Sequence, residues 1–186
     1  MTRIVAGAFG GRRLSVPPGR RTRPTSDRAR EGLFSSLGDL AGARFLDLFA
    51  GSGAVGLEAL SRGAASATFV ESDAGALRVL RANVAALGHA GALVVGDRAE
   101  RFLDSYDGAS GGVVEGSFGR PFDVAFLDPP YALDVDGVLA ACAPLVVDVV
   151  VVERATRDGP PAWPDGVAGD RARRYGDTTL WYGRRS

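Results

Sequence analysis

Two short segments hold residue types that could do chemistry. The first is Asp47-Leu48-Phe49-Ala50-Gly51-Ser52-Gly53-Ala54-Val55-Gly56, in which Gly51, Gly53 and Gly56 fit G-x-G-x-x-G and Glu71 follows 20 residues after Gly51. Between a strand and a helix, such glycines let the backbone turn tightly and approach a ligand, and the acid can accept hydrogen bonds from ribose hydroxyls. A tight strand-to-helix turn with a surface acid is the plainer alternative. A dinucleotide would bring a pyrophosphate to the helix N-terminus, but Asp47, four residues before the first glycine, opposes that anion. Gly96-Asp97 adds a carboxylate placed for an adenine amino group, or equally for capping the helix that follows. Three acids at three successive strand ends suit a cationic nucleoside, and S-adenosylmethionine, with its ammonium and sulfonium groups, fits that description.

The second segment is Asp128-Pro129-Pro130-Tyr131. Two consecutive prolines supply no N–H and cannot continue a central strand, so the chain leaves the sheet here with restricted torsions. An exocyclic amine on a nucleobase is a poor nucleophile because its lone pair is delocalised into the ring. The Asp128 carboxylate and the Pro129 carbonyl can each accept one of its N–H groups and hold it while the lone pair turns towards an electrophilic methyl. Tyr131 can stack on the base and fix its plane. The transfer is then a displacement governed by positioning. A rigid surface turn followed by a tyrosine is the bland reading of the same residues.

These segments need a scaffold, and the pattern around them supplies an α/β one. Buried-strand composition is found at 44–49, 68–71, 92–95, 122–127 and 146–153, with helical patterns at 55–60, 74–87 and 98–103. Leu77, Leu80, Val84 and Leu87 share one helical face. Crossovers of this kind make the strands parallel. At the C-terminus, 171–175 and 178–182 flank Gly176-Asp177 as a hairpin, so the parallel sheet ends in an antiparallel pair. Residues 3–6 and 13–16 bracket Gly10-Gly11 as a second, small hairpin. An arginine-rich loop then leads to a helix on which Ala29, Leu33, Phe34 and Leu37 share a face, with Thr25 or Ser26 as its cap. The stretch 107–120, with five glycines, reads as an insertion before the fourth strand.

The chain has 186 residues, enough for one ordinary domain, and 22 basic residues balance 22 acidic ones. That zero conceals a split. Residues 1–35 carry eight arginines against Asp27 and Glu31, so the remainder is acidic by the same margin. No basic residue is a lysine. A single cysteine, Cys142, excludes an internal disulfide framework and a cysteine metal cluster, and the lone His89 weakens a zinc or triad reading further; no metal is expected. The N-terminus lacks the apolar run of a secretory leader. The longest apolar stretch, 138–152, is broken by Pro144 and Asp148 and falls short of the roughly 20 residues a spanning helix needs. A cytoplasmic protein with no membrane partner is expected. Cys142 reads as a buried apolar residue, His89 as a loop residue, and Trp163 and Trp181 as packing residues.

Taken together, RIVAGAFGGRRL, RPTSDRAREGLFSSL, DLFAGSGAVGLEALSRGA, FVESD, GD, DPPY and YGDTTL resemble the class I S-adenosylmethionine-dependent methyltransferases that act on exocyclic amines. More narrowly, the chain is similar along nearly its whole length to bacterial 16S rRNA guanine-N2 methyltransferases of the RsmD type. The resemblance implies a Rossmann-like, seven-stranded, mostly parallel sheet with a C-terminal antiparallel hairpin and a small N-terminal β-hairpin extension. It implies an extension over 1–24 and a methyltransferase domain over 25–186. Cofactor contacts are expected from Asp47, Phe49, Ala50, Gly51, Ser52, Gly53, Glu71, Ser72, Asp97, Arg98 and Asp128. Target contacts are expected from Asp128, Pro129, Pro130 and Tyr131. The implied substrate is a guanine of 16S rRNA, within small-subunit particles, and the protein is expected to be a monomer. Arg12, Arg13, Arg20, Arg21, Arg23 and Arg28, with Arg30 extending the surface, would contact RNA phosphates; a solvated tail is the alternative. The 107–120 stretch is longer and richer in glycine than the family pattern. Competing readings are a DNA adenine-N6 methyltransferase, for whose separate recognition domain there is no room, and a nicotinamide oxidoreductase, which leaves Asp47 and DPPY unexplained. A non-catalytic RNA-binding assembly factor of the same fold would not need Asp128, Pro129 and Tyr131 intact.

Overall fold

The computed structural model describes residues 2–17, 26–105, 121–130 and 133–186. In chain order the elements are β1 (Thr2–Arg3), β2 (Arg13–Leu14), α1 (Asp27–Leu37), β3 (Arg44–Asp47), α2 (Ala54–Ser61), β4 (Ser66–Val70), α3 (Ala74–Leu87) and β5 (Ala92–Val95). They continue as α4 (Ala99–Ser105), β6 (Phe122–Leu127), α5 (Val135–Cys142), β7 (Val146–Ala155), β8 (Val167–Tyr175) and β9 (Thr178–Arg185). One seven-stranded sheet runs β5-β4-β3-β6-β7-β9-β8. Its first five strands are parallel, and β9 is antiparallel to both neighbours. This is the Rossmann-like arrangement with a terminal hairpin.

Consecutive strand residues feed two separate cores, as the period of two demands. Phe45, Phe69, Val124, Phe126, Val149 and Val151 pack with Leu33 and Phe34 of α1, Leu57 and Leu60 of α2 and Leu80 of α3. Their neighbours Leu46, Val70, Ala125, Leu127, Val150 and Val152 face Phe102 and Leu103 of α4 and Val138, Leu139 and Cys142 of α5. The sheet is thus covered on both faces. Helix α2 is buried along its whole length. Strand β8 is an edge, carrying Arg171, Arg173 and Arg174.

Several boundaries differ from the expected ones. Strand β3 ends at Asp47, because Phe49 and the glycines turn away, and β7 runs two residues further than expected. Helix α5 has no counterpart in the sequence reading: a buried helix and the buried β7 follow one another as one apolar run, separated only by a 3-10 turn at Ala143–Leu145. Its start is marked by Asp134, whose side chain accepts from the amides of Asp136 and Gly137. Ser26 caps α1 by accepting from the Ala29 amide. The glycine-rich stretch 107–120 lies outside the described residues.

The N-terminal hairpin is shorter than predicted, and the reason is visible. The Val5 and Ala6 amides donate not to a partner strand but to the two carboxylate oxygens of Glu58 on α2, at 2.6 and 2.9 Å. The Ala8 amide donates to the Ser61 carbonyl at 2.7 Å and the Phe9 amide to Ser61 Oγ at 3.0 Å. Ile4 and Leu14 enter the same core as the sheet.

Arg30 corrects one expectation. It is not on a nucleic-acid surface but fully buried beside Ala29, Leu33 and Phe34, on the inner face of α1. Its guanidinium donates to Thr2 Oγ1 at 3.1 Å and Asp27 Oδ1 at 2.8 Å, with Nε 3.7 Å from Glu58 Oε2. Arg62 Nε reaches Glu58 Oε1 at 2.8 Å. Glu58 therefore joins the hairpin, α1 and α2. Removing one member of a buried charge cluster leaves the others unpaired. Glu58→Ala should cost about 3–5 kcal/mol in urea unfolding, whereas Glu31→Ala, on the exposed face of α1, should cost less than about 0.5 kcal/mol.

Candidate active site

The carboxyl ends of four neighbouring parallel strands each deliver an acid. Along β5-β4-β3-β6 these are Asp97, Glu71, Asp47 and Asp128. The chain passes outward from β3 to β4 and β5, while β6 pairs with the other side of β3. The crevice beyond β3 and β6 is therefore the topological switch point, where open α/β sheets bind ligands. The glycine loop leaves one of these strands and Asp128-Pro129-Pro130 leaves the other.

The loop is built from the strand outward. Ala50 N–H donates to the Val70 carbonyl at 3.0 Å and Gly53 N–H to the Ala50 carbonyl at 2.7 Å. Gly51 and Gly53 have φ of +55° and +83°, which L side chains rarely adopt. A Cβ at Gly56 would stand 2.3 Å from the Phe69 ring, so the third glycine is a close-packing requirement between α2 and β4. A Cβ at Gly51 would meet nothing within 4 Å, so the loop opens onto free space at that point. Phe49, Gly51 and Ser52 are half-buried, and Ala50 and Gly53 are buried.

Glu71 is buried and braces this loop directly. Its Oε2 accepts from Gly51 N–H at 2.8 Å and its Oε1 from Asp73 N–H at 2.7 Å. A surface acid is excluded. A carboxylate accepts about four hydrogen bonds in all, so bracing the loop is compatible with contact to a ligand's hydroxyls. Ser72 is exposed beside it. Asp97 is half-buried, and its Oδ1 accepts from the Arg98 amide at 2.8 Å. Because α4 starts at Ala99, that contact lies before the helix, and the capping alternative does not describe it. Arg98 is exposed.

At the end of β6, Asp128 and Pro129 are half-buried and Pro130 is exposed. Leu133 N–H donates to the Pro130 carbonyl at 2.9 Å, just before α5. Tyr131 lies outside the described residues, as do Arg20, Arg21 and Arg23. Arg12, Arg13 and Arg28 are exposed. The Arg12 guanidinium lies 5.2 Å over the Phe9 ring and donates to the Ala86 carbonyl in the last turn of α3. Among the described residues no helix is long and apolar enough to cross a membrane, and no group of three or more His, Cys, Asp or Glu could hold a metal ion. Cys142 is fully buried, and burial pushes its thiol up to about 12.

One site residue escaped the sequence reading. Asn83 on α3 is 5% exposed and donates to the carbonyls of Ser52 and Ser15. The signal was present: Ala76, Leu80, Asn83 and Leu87 repeat at helical spacing, so a polar residue falls in a buried stripe and must find partners.

Asp47 is the strained charge of the site. Burial pushes its carboxyl up to about 7; the hydrogen bond from Gly56 N–H at 3.1 Å opposes this and the nearby Glu71 charge adds to it. A carboxyl raised in the folded state keeps its proton there while the unfolded chain has already released it. Folding stability therefore falls as pH rises from about 4 to about 7, and is level above. Asp47→Asn abolishes that slope. Thermal unfolding should show the variant gaining on the wild-type chain through this window, with no further gain above it.

The sequence from 2 to 184 matches the family model described as conserved hypothetical protein 95. Ribosomal RNA small subunit methyltransferase D of Escherichia coli K12 is 38% identical over 171 residues, covering 87% of this chain and 79% of that protein. The solved structure of Escherichia coli yhhF superimposes with a TM-score of 0.84 at 32% identity, over 99% of this chain and 97% of the other. A hypothetical protein of Thermus thermophilus gives a TM-score of 0.77 at 35% identity, over 98% of both chains. The chain belongs to the conserved hypothetical protein 95 family, among whose members the Escherichia coli relative is named a ribosomal RNA small subunit methyltransferase.

Proposed function

We propose that this protein transfers a methyl group from S-adenosylmethionine to the exocyclic N2 amine of a guanine in small-subunit ribosomal RNA. The observation that carries the reading is the juxtaposition at the switch point of the braced glycine loop, with its two buried acids, and the Asp128-Pro129-Pro130 turn. The name of the Escherichia coli relative supports the RNA class of the substrate.

The residues fit this cofactor. A glycine loop that opens onto free space at Gly51 has room for a nucleoside, and the Asp47 carboxylate beside it opposes a pyrophosphate. Glu71 and Asp97 would accept from ribose and adenine, and Asp47 would face the ammonium group, with Phe49, Ala50, Ser52, Gly53, Ser72 and Arg98 around them. When bound, S-adenosylmethionine supplies an electrophilic methyl on a sulfonium. Asp128 and the Pro129 carbonyl accept the two N–H groups of the amine and aim its lone pair, and Tyr131 stacks on the base. A strong base is unnecessary, because a methylated, cationic aryl amine is very acidic and sheds its proton readily. Arg12, Arg13 and Arg28, with Arg20, Arg21 and Arg23, contact phosphates and set the register of the RNA without reading its sequence.

Tritium transfer from labelled S-adenosylmethionine to small-subunit particles lacking the modification tests the reaction. Asp128→Asn keeps the shape but loses the charged acceptor, and should lower the rate by about 100-fold or more. Cofactor binding without any label transfer in the wild-type chain would falsify the enzyme reading. Mass spectrometry of rRNA from a deletion strain should show the loss of one N2-methylguanine. Replacing Arg12, Arg13 and Arg28 by alanine should weaken RNA binding and flatten its salt dependence by about 0.7–0.9 in the log–log slope for each lost contact.

A further inference from the structure

The glycine loop is held at three successive residues, each by a different device. Gly51 N–H is fixed by Glu71 at 2.8 Å. Gly53 packs onto α3, where a Cβ would come within 2.5 Å of Leu80 Cδ1. Between them, the Ser52 carbonyl accepts from Asn83 Nδ2 at 2.9 Å. Asn83 also reaches beyond the sheet and its helices. Its second Nδ2 hydrogen goes to the Ser15 carbonyl at 3.0 Å, and its Oδ1 accepts from Ser15 N–H at 2.9 Å. The side chain thus pairs with Ser15 in both directions, as a neighbouring strand would. Both amide hydrogens are spent, and the group is 5% exposed, so each lost partner would leave a buried polar atom unsatisfied.

Ser15 is the point at which the N-terminal arm leaves its hairpin. Arg12 and Arg13 precede it, and after Val16-Pro17 the chain runs on to Arg20, Arg21 and Arg23. One buried amide therefore ties the basic arm to the middle residue of the loop. We propose that Asn83 is a positioning residue through which the arm sets the shape of the glycine loop, so that RNA engagement by the arm and cofactor binding at the loop favour one another. The inference rests on the loop being the S-adenosylmethionine site and the arm an RNA contact. Coupling of this kind is reciprocal: RNA on the arm tightens cofactor binding by the same factor by which cofactor tightens RNA binding.

Three full-length variants separate the links. Asn83→Leu removes all three hydrogen bonds, and Asn83→Asp keeps the acceptor for Ser15 N–H while losing both donors. Ser15→Pro removes the N–H given to Oδ1 along with the serine side chain, fixes the backbone there, and leaves Asn83 its own donor for the Ser52 carbonyl. Calorimetry measures the Kd for S-adenosylmethionine with and without unmethylated small-subunit rRNA, and thermal unfolding checks the fold. The wild-type chain should bind cofactor roughly fivefold more tightly with RNA present. Both Asn83 variants should bind it about five- to tenfold more weakly than wild type, with KM raised and kcat at saturating cofactor unchanged. Ser15→Pro should lose the enhancement by RNA although Ser15 lies outside the loop. A purely structural amide would lower Tm and leave these constants alone. Folded variants with a wild-type Kd, or a Ser15→Pro chain with the full RNA enhancement, would overturn the inference. If Asn83→Leu fails to fold, Asn83→Asp and Ser15→Pro decide. A wild-type chain that binds no S-adenosylmethionine removes the cofactor reading and this inference together; one that binds it equally well in every variant removes the inference alone.

Discussion

The central constraint is the parallel pairing of β3 with β6, in which Phe45, Leu46 and Asp47 stand opposite Val124, Ala125 and Phe126. These strands are far apart in the chain, yet their pairing brings the glycine loop and the Asp128 turn side by side. The register is held from both faces. A slip of one residue would exchange Phe45 for Leu46 and Phe126 for Ala125 between the two cores, putting large rings where α4 and α5 leave room for smaller side chains. Packing that stabilises the sheet is thus also what aligns the two halves of the site.

The two most deeply buried acids show how differently a fold can treat a charge. Glu58 is surrounded: two backbone amides and Arg62 donate to it, and Arg30 stands close by. Its burial is compensated, and its work is to attach the hairpin and α1 to α2. Asp47 accepts from the Gly56 amide and has another acid, Glu71, for a neighbour, so its burial is costly. On the proposed reading a cationic ligand would sit beside this carboxylate and supply the positive charge that the fold withholds from it.

What could be read from the sequence was whatever depends on local spacing. The glycines, the acid 20 residues on, the stiff DPP turn and the alternation of strands and helices are all short-range patterns, and each is found at the expected place in the sheet. The misses are long-range. Arg30 looked like one more member of a basic segment because its partners, Thr2 and Glu58, come from other elements. The expected hairpin, 3–6 with 13–16, is longer than the observed one because its Val5 and Ala6 amides turn aside to Glu58 on a distant helix. Helix α5 was hidden for another reason: buried on one face and followed at once by a buried strand, it lacks the polar punctuation that marks an element's end. Tyr131, Arg20, Arg21 and Arg23 lie outside the described residues.

The exposed edge of the sheet adds a consequence for the molecule in a crowded cell. Among the described residues no strand pairs with the outer side of β8, so its backbone presents the edge on which another chain could grow a further strand. Arg171, Arg173 and Arg174 fall within a span of four residues on it, and β9 behind them ends in Arg184 and Arg185. Arg171 and Arg184 are paired with Asp170 and Asp148, so an incoming copy would have to bring its own guanidinium groups against Arg173 and Arg174 and strip water from both. The hairpin that closes the fold therefore also makes it a poor template for its own aggregation, a protective use of arginine distinct from any contact with RNA.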